Sequence, residues 1–200
     1  MKQLYAYLLL LTIIFFTACS KNKIDPDNLR NGQEVELRLD HYTTGIRAGV
    51  YLNMPGRENI PQSYIENFEE REAGYTYVVK AKVVRPSQPL MDGPGYWFVY
   101  LRTVRKDKYT DPATFQLPLL EMGLMDAIFS LRKEGDKFYY GKYLLAPADA
   151  AVATGLQTAF DKRPSPADPT HWKDLLNARL RVVHDPANFG KGYKVLAVIF

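Results

Sequence analysis

The chain is expected to fold as a β-rich α+β protein, with mainly antiparallel sheet and one or two helices in its C-terminal half. Three observations predict this. Several stretches after Val35 alternate apolar and polar residues with a period of two. Aromatic residues are abundant, with 14 tyrosines and 10 phenylalanines, and they concentrate in those stretches. Helical spacing, by contrast, is confined to residues beyond 146. A period of two places successive side chains on opposite faces, the pattern of a half-buried strand, and aromatic and β-branched residues suit such a surface. Many strands with few helices argue for an α+β or mostly-β architecture.

The elements follow in order. In VELRLDH, Val35, Leu37, Leu39 and His41 share one face, while Glu36, Arg38 and Asp40 point the other way. In YTYVVKAKVV one face carries Tyr75, Tyr77, Val79, Ala81 and Val83, and the other carries Thr76, Lys80 and Lys82. The run YWFVYLRTV, residues 96–104, is apolar on both faces and is expected as a central strand. Between these two lies RPSQPLMDGPG, whose prolines and glycines neither a helix nor a central strand would tolerate. AIFSLRKEGDKFYYGKYLL predicts a hairpin around Glu134-Gly135-Asp136. PADAAVATGLQTAFDK predicts a helix with Pro147 near its first turn and Val152, Leu156 and Phe160 on one stripe. RPSPADPT is a loop, HWKDLLNARL a candidate short helix, and ARLRVV and YKVLAVIF are expected strands. The chain therefore divides into an N-terminal β unit over 34–108 and a C-terminal α+β unit over 113–200. A single continuous domain is equally compatible with this pattern.

The first residues carry a different signal. Residues 8–16 are apolar apart from Thr12, follow the positive Lys2, and are succeeded by small residues, the layout of a secretory signal. A helix crossing a bilayer needs about 20 apolar residues, so the run is too short for a permanent span. It closes on Phe16-Thr17-Ala18-Cys19, which resembles a bacterial lipobox. The resemblance implies that residues 1–18 are a signal peptide cut between Ala18 and Cys19. It also implies that the Cys19 thiol receives a diacylglyceryl group, with the mature protein bearing palmitate-type acyl chains. Cys19 is the only cysteine, so it has no disulfide partner within the chain. An ordinary secretory signal with a free Cys19, or an uncleaved anchor, are the alternatives. Residues 19–33, polar and holding one proline and one glycine, are expected to be a flexible tether. The protein is thus expected in the bacterial cell envelope, held to the outer membrane by its acyl chains, with the periplasmic or surface face left open.

The segment 65–104 resembles an uncharacterised domain family of bacterial lipoproteins, sometimes joined to META-type domains. The carrying residues are Ile65 and Phe68, Gly74-Tyr75 with Tyr77 and Val79, Pro86, Pro89, and the aromatic strand from Tyr96. The stretch from Phe68 to Gly74 is about one residue longer than the family pattern, and the cysteines common upstream in that family are absent. The family has no established chemistry, so the resemblance implies an envelope lipoprotein and no activity.

Charge and motifs exclude several classes. The formal net charge is +4, and cleavage after Ala18 would remove Lys2 and leave a mild basic excess. No basic block or RNA-binding signature accompanies it, so nucleic acid is not an expected partner. His41, His171 and His184 lack metal-ligand spacing, and no HExxH or CxxC occurs, so no metal or cofactor is expected. His41 lies on an apolar strand face, where a satisfied core histidine is the favoured role, and His184 is a strand-end residue whose neighbour Asp185 does not by itself make a triad. GDKFYYGK has the wrong spacing and residues for a phosphate loop, and FGKGYK is a turn. Glu69, Glu70 and Glu72 could supply paired carboxylates for glycoside chemistry, but a solvated loop is favoured.

The stronger lead is aromatic. Tyr75, Tyr77, Tyr96, Trp97 and Tyr100 on two neighbouring strands are candidate ligand-binding residues, with Tyr139, Tyr140 and Tyr143 in the later hairpin. Cross-strand packing in a sheet core is the favoured role. Lys80, Lys82, Arg102, Arg105, Lys106 and Lys108 form either a basic surface for anionic glycans or headgroups, or an ordinary solvated face. The alternating C-terminus resembles the closing strand of an outer-membrane barrel, although a buried terminal strand fits the loops better. No nucleophile, base and orienting group can be named together. The expected function is a non-catalytic, acyl-anchored binding or assembly module with an envelope protein or glycan partner. The alternatives are an accessory subunit of a surface complex and, last, an envelope enzyme.

Overall fold

The computed structural model describes residues 24–45, 49–88, 94–122, 127–164 and 171–200. The signal segment, Ala18 and Cys19 lie outside these residues. The described chain is a β-rich α+β fold with mixed and antiparallel sheets and one α-helix in its C-terminal half.

Strands β1 (Glu34–Leu39), β2 (Val50–Leu52), β3 (Ile65–Glu66), β4 (Tyr75–Val84) and β5 (Trp97–Lys108) form a five-stranded sheet in the order β2-β1-β4-β5-β3. The alternation of β1 does what period two requires. Val35, Leu37 and Leu39 are buried opposite Ala81, Val79 and Tyr77 of β4. On the other face Glu34 lies opposite Lys82 and Glu36 opposite Lys80, so unlike charges meet across the strands. The apolar face is covered by Leu29, Phe68 and, in part, Met54.

The run 96–104 departs from expectation. Among the described residues β5 is flanked on both sides only where β3 pairs with Phe98 and Val99; beyond that point it has β4 alone as a neighbour. Leu101 and Val104 are therefore exposed, each at 44 %. An apolar run is buried on both faces only where something packs on each face, and at Leu101 and Val104 that cover is incomplete.

Strands β6 (Phe115–Pro118), β9 (Leu131–Glu134), β10 (Lys137–Tyr140), β11 (Tyr143–Pro147), β12 (Arg179–His184) and β13 (Gly192–Ile199) form a second sheet in the order β6-β12-β13-β11-β10-β9. β7 (Leu120–Met122) and β8 (Ala127–Phe129) make a separate ribbon. The expected hairpin is present, with Glu134 opposite Lys137 and Gly135 at φ +56° in the turn. It continues through a second tight turn at Gly141-Lys142, so the GDKFYYGK segment is strand and turn rather than a phosphate loop. The C-terminal strand β13 is interior, antiparallel to β12 and parallel to β11.

Helix α1 (Ala150–Asp161) packs on β13 and β11 and buries Val152, Leu156 and Ala159, with Phe160 half-buried beside them. Pro147 is not in its first turn. Register pairing with Val195 holds Pro147 as the last residue of β11, and Asp149 caps the helix by accepting from the Val152 amide at 2.9 Å. The candidate short helix is a 3-10 turn, His171–Leu175. Among the described residues no helix is long and apolar enough to cross a membrane.

The chain passes from one sheet to the other between Lys108 and Phe115. Gly74, at φ +84°, is the crossing point. Its amide donates to the His41 carbonyl and its carbonyl accepts from the Tyr109 amide, both at 2.8 Å. A Cβ there would sit 2.6 Å from the Phe189 ring, so only glycine fits both the backbone and the space. Beside it Ala73 bridges to Gly190.

Candidate functional site

Two clefts open where the sheets meet. The first, about 420 Å³, is lined by Ile65 and Phe68 from the five-stranded side, and by Phe129, Ser130, Tyr140 and Tyr143 from the other. Thr43, Thr44 and Gly45 complete a wall, and Arg71, Arg132 and Lys142 supply charge. The second, about 700 Å³, has a mixed lining that includes Asp40, Glu121, Arg179, Tyr51, Gln62 and Gln116. Ligand sites typically enclose about 300–1,000 Å³ of mostly apolar wall with few polar groups. By that measure the first cleft is the better candidate.

Its side chains are held from behind. Tyr140 and Tyr143 face each other across the Gly141-Lys142 turn and so present rings to the same side. The Tyr140 hydroxyl donates to the Pro118 carbonyl at 2.9 Å, and that of Tyr143 donates to the Arg71 carbonyl at 3.0 Å. Burial pushes both phenols up, Tyr140 the further and Tyr143 to about 12, where the Arg71 charge pulls the other way. Arg71 is 8 % exposed, and its guanidinium donates to the carbonyls of Asp40 and Tyr42, each at 2.9 Å. Lys142 stands at the rim, where its ammonium donates to the Glu69 carbonyl. Burial first, and then the neighbouring Arg71 charge, lower the Lys142 pKa. Arg132 is paired with Glu134. Ser130 Oγ is enclosed beside Tyr140, and no histidine, lysine or carboxylate among the described residues bonds it.

A second cluster lies in the seam and touches the second cleft only through Tyr42. His41 Nδ1 and His184 Nε2, 143 residues apart in sequence, are 2.7 Å from each other. The His41 ring stacks on Tyr109 at 3.6 Å, and Phe115 and Tyr42 pack around it. His184 Nδ1 is enclosed with no partner. An enclosed lone pair costs less than an enclosed N–H, which assigns the proton to His184 Nε2 with His41 Nδ1 accepting. Both imidazoles are pushed down to about 4. For His41 the cause is burial, against Asp40 and Asp111, which raise it; for His184 it is burial and then His41. His41 thus has a satisfied interior place on its strand face, and His184 ends β12. The side chain of His171 is outside the described set. No group of three metal-binding side chains occurs among the described residues.

The five aromatic candidates are dispersed, and none lines either cleft. Tyr77 is buried and its hydroxyl accepts from the Glu72 amide at 3.0 Å. Tyr75 packs on Phe189 under the Lys106 ammonium. Tyr96 donates to Gln62 at 2.9 Å, Trp97 donates to Glu66 at 3.1 Å, and Tyr100 stacks on Phe68 at 4.5 Å. The basic strand face is largely compensated, with Arg105 paired to Asp107 and Lys106 to Glu72. Residue-by-residue reasoning did not single out Arg71, Phe129 and Ser130. Arg71 carried one faint signal, a lone cation inside Glu69-Glu70-Arg71-Glu72.

No family model, curated protein or solved structure matches the chain.

Proposed function

We propose that this chain is a lipid-anchored, non-catalytic binding module of the bacterial cell envelope, with its ligand site in the smaller, apolar cleft between the sheets. The observation that carries the binding reading is the lining of that cleft. Its tyrosine hydroxyls point into backbone carbonyls, leaving ring and aliphatic surface toward the opening. Such a wall holds a ligand by shape and burial. Among the described residues no hydrogen-bonded base is set against its enclosed serine, and a serine nucleophile would need one.

The anchoring half rests on the sequence. Cys19 follows an apolar run and two small residues, and acylation would remove an otherwise unpaired thiol. Two or more acyl chains anchor far better than one, at about 0.8 kcal/mol per buried CH₂. The partner this reading admits is an envelope protein or glycan. In cells fed labelled palmitate, the wild-type chain should be labelled and should fractionate with the outer membrane. Cys19→Ala should lose the label and accumulate as uncleaved precursor. Normal labelling and processing of that variant would overturn the anchoring reading.

The accessory-subunit reading has one observation of its own. Among the described residues, β5 beyond Val99 pairs on one side only, and strand addition uses such an edge. Its Arg102, Arg105, Lys106 and Lys108 are the charges that commonly protect edges from pairing. Co-purification of a stoichiometric neighbour that is lost on Leu101→Lys would favour this reading over the first.

A further inference from the structure

We infer that the apolar cleft takes a compact anionic amphiphile, a molecule with one carboxylate or phosphate head and a ring-sized apolar body. The inference rests on the reading of this cleft as the binding site and adds the ligand class. Three cationic side chains line the cleft and no carboxylate does. The second cleft, by contrast, sets Asp40 and Glu121 against Arg179. One cleft is therefore lined by cations alone and the other by charges of both signs.

The cations are arranged in depth. Arg71 is buried, and its guanidinium donates to two carbonyls. Lys142 is at the mouth; its ammonium has three donors, gives one to the Glu69 carbonyl and lies over the Tyr143 ring at 5.6 Å. Glu69 and Glu72 lie near enough to offset part of the Lys142 charge. Glu72, however, is already engaged by Lys106. An anion lodged between Arg71 and Lys142 would relieve the repulsion between them, and attraction is strengthened where water is excluded. The body of the ligand would then lie against Phe68, Phe129 and Ile65, which offer faces with no polar group to satisfy. A volume of about 420 Å³ fits a small molecule and not a folded partner or a two-chain lipid.

The test uses the full chain reconstituted in nanodiscs, with empty nanodiscs as the blank and calorimetry and amide shifts as readouts. The probes are 2-naphthoate, 2-naphthyl phosphate, the neutral isostere 2-naphthamide, and acetate as a head without a body. Expected are binding of at least one anionic naphthyl probe, at least tenfold weaker binding of the amide, and no measurable binding of acetate. Shifts should fall at Phe129, Ser130 and Tyr143. Lys142→Gln should weaken the anion about tenfold without altering the amide, and Lys142→Arg should restore it. The tighter of carboxylate and phosphate names the head. If naphthamide binds as well as the anions, or Lys142→Gln changes nothing, the anionic class is overturned while the cleft stands as a binding site. If no naphthyl probe moves the cleft amides, the binding reading falls and the inference falls with it. Lys142 is on a surface turn, so its variants should fold; unchanged thermal melting confirms that each comparison is sound.

Discussion

The five-stranded sheet buries its apolar face under loop residues such as Leu29, Met54 and Phe68, whereas the six-stranded sheet buries its own largely under helix α1. The first is antiparallel apart from the two-residue β3; the second contains the parallel β11–β13 pair and the helix that packs upon it. Topologically these are two layers, each with its own buried cluster. The seam tells a different story, because its parts alternate between the halves. Ala73 bridges Gly190, the Tyr143 hydroxyl holds the Arg71 carbonyl, and His41 meets His184. Ala73, from the first half of the sequence, is counted in the second core. Two cores joined by hydrogen bonds that cross repeatedly, one of them borrowing Ala73 from the other half, should unfold as one unit.

The strongest way to break this picture is to damage one core and watch the other. Leu156 is fully buried at the centre of the α1 face, and Leu37 holds the equivalent place in β1. Leu156→Ala should cost about 2–5 kcal/mol, the usual range for such a truncation, and Leu37→Ala a similar amount. The informative readout is amide exchange at Leu37 and at Val195 in each variant. Under one cooperative unit, both amides lose protection equally in both variants. If Leu156→Ala leaves Leu37 protected, the layers are independent and the seam is only a contact.

A smaller change at the seam itself sharpens the point. Gly74→Ala would force a left-handed backbone on a residue with a Cβ and push that Cβ into Phe189. The cost should be about 2 kcal/mol, part backbone strain and part displaced ring. Gly135→Ala is the control, because Gly135 also has positive φ but nothing lies within 4 Å of its added Cβ. It should cost about 1 kcal/mol, the backbone share alone. Equal denaturation midpoints for the two variants would mean that the Phe189 contact contributes nothing.

Much of each layer was legible in the sequence, and almost none of the seam was. β1, β4 and the β9–β10 hairpin follow from period-two patterning and from a glycine turn, which are local signals. The aromatic run of β5 misled because composition cannot say what packs on each face. Tyr77 and Tyr100 attracted attention as ligand candidates for the same reason: an aromatic on a strand has the same sequence signature whether it faces core or cleft. Arg71 is the clearest case. Flanked by glutamates it has the pattern of a solvated loop, yet the carbonyls of Asp40 and Tyr42, some thirty residues earlier, draw it inside. Tyr140 and Tyr143 were visible as aromatics of a hairpin, but only their register across the turn puts both rings in one wall.

The smallest expected effect concerns pH and isolates the histidine couple. Both imidazoles titrate near 4 in the folded chain against an ordinary 6.5, so between those values the unfolded chain binds more protons than the folded one. Stability must then rise with pH through that window and fall as pH drops from about 6.5 toward 4. The two rings share one hydrogen bond and face each other across 2.7 Å, so the titration belongs to the pair. Asp40 and Asp111 oppose the shift at His41 and Arg71 reinforces it, which keeps the effect modest. Allowing for partial solvent contact, the loss between pH 7 and pH 5 should be on the order of 1 kcal/mol, read as a shift in the urea midpoint. His184→Phe removes one titrating ring while keeping an aromatic among Phe115, Phe189 and Tyr193. Its midpoint should be flatter over that interval, whatever its absolute stability, because ordinary carboxylates titrate below it. An unchanged slope in the variant would place the pH response elsewhere. The seam would then be a packing junction with no titrating part, and the two layers would differ in their cores alone.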